Sequence, residues 1–146
     1  MPRGRKARIR TKPARPGLGR GTLLSPIIGA SLIVTFAYAA SLLQASAEVV
    51  AAAALAYAAA EGLVLAIIGA LWAQQRSVGV AIAAAVVTAL LATPGRWLLA
   101  YLHANRTAPL LDLMEDLGIT ILWAAFAGLA GATVLRERLS NLLPER

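Results

Sequence analysis

Four stretches of this 146-residue chain stay apolar for about twenty residues each, and no other feature limits its fold as strongly. A helix rises about 1.5 Å per residue, so each stretch is long enough to cross roughly 30 Å of hydrocarbon. Hydrophobic residues make up 59% of the chain and the mean hydropathy is +0.70, more apolar surface than a soluble core of this length buries. The expected fold is an all-α integral membrane protein. Its four-transmembrane-helix bundle occupies residues 23–138, between a disordered basic tail over 1–22 and a short C-tail over 139–146.

The spans are expected at about 23–43, 49–73, 78–102 and 109–135. Pro26 falls in the first turn of the first span, where proline is tolerated. Ser46 is placed to cap the second, with Glu48 at the positive end of its dipole. Ser77 can cap the third, and Pro94-Gly95-Arg96 is expected to kink it or end it early. Pro109 to Asp116 reads as two amphipathic turns leading into the fourth, which Arg136, Glu137 and Arg138 stop.

Charge sets the expected orientation. The net charge is +7, and it arises from a tail in which Arg3, Arg5, Lys6, Arg8, Arg10, Lys12, Arg15 and Arg20 meet no acid. Pro2, Pro13, Pro16, Gly4, Gly17 and Gly19 oppose any helix there. With Arg76, Arg136, Arg138 and Arg146, twelve basic residues fall on one side of the spans; only Arg96 and Arg106 fall on the other. The positive-inside rule then places both termini in the cytoplasm of a multi-pass cell-membrane protein. Arg3, Arg5, Lys6, Arg8, Arg10 and Lys12 are candidates for binding anionic lipid head groups, at about 1 kcal/mol each near the surface. No aromatic residue interleaves them, so nucleic acid is not an expected partner. Cleavage at Ala45-Ser46-Ala47, which would make the first span a signal peptide, is the less favoured alternative.

The residue a membrane makes most expensive is Glu61, the midpoint of the second span. A central acid costs about 2.5 to 3.5 kcal/mol on insertion scales and generally faces a bundle interior or a water-filled path. Burial favours its neutral form unless a cation or water pocket accompanies it. Tyr57 lies one turn earlier on the same face and can reach the carboxyl. On the first span Ser31, Thr35, Tyr38 and Ser41 recur at helical spacing, a polar stripe expected to face inward and either line a path with Glu61 or satisfy it. Small residues, among them Ala51–Ala54, Ala58–Ala60, Gly62, Gly69, Gly128 and Gly131, point to close helix packing.

Outside the expected hydrocarbon, Asp112, Glu115 and Asp116 gather before the fourth span while Arg96, His103 and Arg106 lead into it. A solvated set of ion pairs, each worth little, is the expected arrangement. Asp112 and Asp116 share a helical face by their i, i+4 spacing. Asn105-Arg106-Thr107 matches the N-glycosylation acceptor pattern in a loop that the charge rule places outside. Trp97 and Tyr101 fit an external aromatic belt, Trp72 an internal one, and Trp123 a deeper packing position.

The chain has no cysteine and one histidine, which removes thiolate chemistry and a histidine metal site; no metal or cofactor is expected. No phosphate loop, nucleophile elbow or dinucleotide fingerprint is present, so the chain is not expected to be an enzyme. Gly19-Arg20-Gly21 followed by Leu24-Ser25-Pro26-Ile27-Ile28-Gly29 resembles the N-terminal segment of archaeal type IV pilins over residues 19–34. In that family the helix leads into a polar, β-rich head, whereas three more apolar helices follow here, and the function is not carried over. Two functional classes remain. The leading expectation is a non-catalytic structural or accessory subunit of a larger membrane complex, and the second class is its alternative. The second is a small oligomeric transporter or channel coupling protonation of Glu61 to movement of a cation or small solute. Membrane lipids and other membrane proteins, in homo- or hetero-oligomers, are the expected partners of either.

Overall fold

The structure, a computed structural model, describes residues 19–42, 46–104 and 110–142. Arg3, Arg5, Lys6, Arg8, Arg10, Lys12, Asn105 and Arg106 lie outside the described residues, as do the side chains of His103 and Asp112. Helices run over Arg20–Ser41 (α1), Ala47–Gln75 (α2), Val78–Ala104 (α3) and Leu110–Ala130 (α4); a π-helical turn over Gly131–Leu135 joins α4 to a short α5, Arg136–Leu142. Four helices carry apolar windows of mean hydropathy 1.8 to 2.0 and are long enough to cross a membrane. This is an all-α, four-helix membrane-spanning bundle.

Local chemistry explains the helix boundaries. Ser46, extended at φ −141° and ψ 164°, caps α2 by accepting from the Val49 N–H. Only Arg76 and Ser77 separate α2 from α3. Pro26 is not in the first turn, because α1 begins at Arg20. A proline there cannot donate to the Thr22 carbonyl, and the Ser25 hydroxyl does so instead at 2.8 Å. That hydroxyl also accepts from the Trp72 indole at 3.1 Å, and beside it the Gln75 amide donates to Thr22 Oγ1 at 2.9 Å, tying the start of α1 to the end of α2.

Of the kink or early end expected at Pro94, the early end does not occur, since α3 continues to Ala104. Gly95 serves close packing rather than termination: a Cβ there would lie 2.7 Å from Val34 Cγ2 of α1. Helices buried among neighbours tolerate such breakers.

α2 and α3 form the centre. α1 packs on both, α4 packs on both, and among the described residues α1 and α4 do not touch. The core is mostly alanine: Ala30, Ala85, Ala89, Ala92, Ala124 and Ala127, with Ile33 and Leu65 as its bulkier members. Small side chains let backbones approach until dispersion between them supplies the association that water supplies elsewhere. A Cβ on Gly69 would lie 2.5 Å from the Gly128 carbonyl oxygen, and one on Gly131 would collide with the Ala66 carbonyl. The π turn accommodates an extra residue in the helix, and in it Gly131 and Ala132 are buried.

The outer faces hold exposed apolar side chains, Leu55 at 74% and Leu122 at 73% among them. The expected inward stripe on α1 is corrected by the structure: Ser31, Thr35 and Tyr38 are exposed. The face that packs is Pro26, Gly29, Ala30 and Ile33, whose small residues allow close approach. Ser31 donates to the Ile27 carbonyl at 3.0 Å, Thr35 to the Ser31 carbonyl at 2.8 Å and Ser41 to the Tyr38 carbonyl at 2.7 Å. Each of these hydroxyls thus donates within its own helix.

Candidate functional site

Glu61 is the midpoint of α2, about 21 Å from either helix end at 1.5 Å per residue. It is 5% exposed and faces the bundle interior. Its partner comes from α3. Arg96 Nη1 lies 3.3 Å from Glu61 Oε1, while Nη2 of the same guanidinium lies 3.5 Å from Asp116 Oδ1 on α4. Because α3 does not stop at Pro94, Arg96 points from a continuing helix into the space shared by α2 and α4. The expected solvated placement of Arg96 is therefore corrected: its side chain is 20% exposed and bridges the central acid and an outer one.

Two further groups complete the network. Arg96 Nη1 is 3.4 Å from Thr120 Oγ1, one turn beyond Asp116, and the Trp97 indole donates to Asp116 Oδ2 at 2.9 Å. The guanidinium contacts are longer than the roughly 2.7–2.9 Å of a tight charge-assisted bond, as expected of one cation divided between two acids. The cation that the sequence reading allowed for beside Glu61 is thus Arg96.

Tyr57 meets Arg96 as well as Glu61. The Arg96 Cζ atom sits 5.9 Å from its ring centroid, within cation–π range. Its buried hydroxyl makes no bond of full hydrogen-bond geometry, but it lies at the margin of hydrogen-bonding reach of the Glu61 carboxyl, the partner expected for it.

Ala58, Glu61, Arg96, Asp116, Ile119, Thr120 and Trp123 line a cleft of about 280 Å³ between α2, α3 and α4. Ala58, Ile119 and Trp123 are exposed at its rim, so it opens sideways on the bundle surface. Trp123 is 40% exposed, not deeply packed, although its ring covers Gly62 and stacks on Phe126 at 6.3 Å. Glu115 is exposed and stands apart from this network. Two other clefts, beside α1, are lined mainly by alanine and larger apolar side chains. Among the described residues no three acidic or histidine side chains converge as metal ligands.

In the sequence both acids and the arginine stand out, but as two separate groups, and Thr120 and the Trp97 contact do not. The signals were present: Arg96 has apolar residues on both flanks, and Thr120 continues the i, i+4 face of Asp112 and Asp116. Comparison with protein-family models, curated proteins and solved structures gives no match.

Proposed function

We propose that this protein is a small transporter or channel, acting as an oligomer, in which protonation of Glu61 is coupled to movement of a cation or small solute. The observation that carries this reading is the Glu61–Arg96 pair, buried at mid-helix and bordering a cleft. Desolvating two charges costs several kcal/mol per ion, and apolar replacements of such pairs are frequently neutral or stabilising. Helix association alone does not account for the pair, since the Gly69–Gly128 contact and the alanine core provide it without any charge.

The reading as a structural subunit draws support from the same small-residue packing and from the exposed apolar faces, but these serve oligomerisation of a transporter equally well. No chemistry-bearing motif supports an enzyme. With both termini in the cytoplasm, as the distribution of basic residues supports, Asp116 lies toward the outer end of the site and Glu61 deeper, and the basic tail meets anionic lipid on the inner leaflet.

Proteoliposomes test the proposal. A potassium diffusion potential should drive proton uptake, read with an entrapped pH-sensitive dye, and Glu61→Gln, which keeps the shape and removes the titrating group, should reduce it about a hundredfold, the lower end of the effect of losing one general acid–base group. Unchanged flux in the variant would sink the transport reading.

A further inference from the structure

The cleft contains two carboxylates and one guanidinium, each from a different helix. Fully ionised, it carries one unbalanced negative charge, which membrane-length apolar helices hold only at high cost. One proton restores neutrality, and a second would strand Arg96 without an ionised partner. We propose that Glu61 and Asp116 share one exchangeable proton, with Arg96 pairing to whichever carboxylate is ionised.

The geometry provides for both arrangements. The Arg96 contacts to Glu61 and Asp116 use different nitrogens and are nearly equal, 3.3 and 3.5 Å, so the guanidinium can close on either acid without leaving reach of the other. Thr120 Oγ1, 3.4 Å from Nη1, accepts from the nitrogen that a protonated Glu61 releases. Trp97 holds Asp116 Oδ2 and leaves Oδ1 for the guanidinium or the proton. The two seats differ in access, with the Glu61 side chain 7% exposed and that of Asp116 38%; Asp116 is the outer port and Glu61 the inner one. In the exchange an O–H bond breaks on Asp116 as one forms on Glu61, the guanidinium shifts the opposite way, and net charge is conserved. Of the other titratable groups, Tyr57 lies beneath Arg96, Glu115 is exposed on α4, and Tyr38 of α1 is exposed away from the site.

This inference rests on the reading of the site as proton-handling, and it has its own test. Infrared difference spectra of the full chain in lipid nanodiscs near neutral pH report the deuterium-sensitive carbonyl band of a protonated carboxyl group. The wild-type chain should show one such band. Glu61→Gln and Asp116→Asn should each abolish it entirely, because either leaves one acid balanced by Arg96, while Arg96→Gln should roughly double it, since both acids then sit without a cation in a site that disfavours charge. A band that survives Asp116→Asn, that survives Glu61→Gln, or that is absent from the wild type would overturn the shared proton. Circular dichroism and monodisperse elution establish that each variant is folded, and the two near-isosteric acid variants suffice if Arg96→Gln is not. Flux is read separately: bands behaving as expected with no wild-type proton uptake would end the transport reading alone. Flux that needs Glu61, with the band intact in Asp116→Asn, would end the sharing alone.

Discussion

The two halves of the bundle are built on opposite principles. Toward the α2–α3 connection, Gly69, Gly128 and Gly131 bring helix backbones into direct contact, and the polar groups there, Ser25 with Trp72 and Thr22 with Gln75, are neutral and paired. Toward the other end, three charged side chains divide a single set of contacts around a cleft, with a buried tyrosine hydroxyl that makes no bond of full hydrogen-bond geometry. The first half is packed for permanence. The second keeps ionisable groups inside the bundle, where a membrane makes them expensive.

Substitutions can test this contrast from its strongest side to its weakest. Arg96→Leu removes the cation from both acids and should lower stability by about 3 kcal/mol, the lower end of the cost of breaking a buried pair, measured by reversible unfolding in mixed micelles. A loss under about 1 kcal/mol, the range of exposed pairs, would mean that the charged half is solvated after all. Gly131→Ala places a methyl group against the Ala66 carbonyl and should cost about 2 kcal/mol by overpacking; a neutral result would show that the π turn relaxes and that the packed half is looser than its contacts imply. Tyr57→Phe should have the smallest effect, within about 0.5 kcal/mol, because the hydroxyl it removes is only at the margin of hydrogen-bonding reach of Glu61. A clear loss would reveal a Tyr57–Glu61 bond and enlarge the charged network.

Much of the architecture could be read from the chain alone, because hydrocarbon thickness converts run length directly into helices and leaves few alternatives. The depth of Glu61 followed from the same counting. Arg96 was harder, since its position depends on whether a helix survives Pro94-Gly95, and that depends on Val34 of another helix fitting against Gly95. Long arginine side chains add a further difficulty: the charge sits well away from its own Cα, so sequence position understates its reach. The α1 stripe was misjudged for a local reason. Periodicity identifies a face but not which face packs, and Gly29 with Ala30 allowed closer approach than hydroxyls already bonded to their own backbone.

The connection of only Arg76 and Ser77 between α2 and α3 has a mechanical consequence for the ion network. Glu61 and Arg96 belong to one helical hairpin, whereas Asp116 and Thr120 belong to α4. The Glu61 limb of the guanidinium bridge therefore closes inside a single hairpin, whereas the Asp116 limb closes between that hairpin and α4, whose register on α2 is held at the opposite end by the Gly69–Gly128 and Gly131–Ala66 contacts.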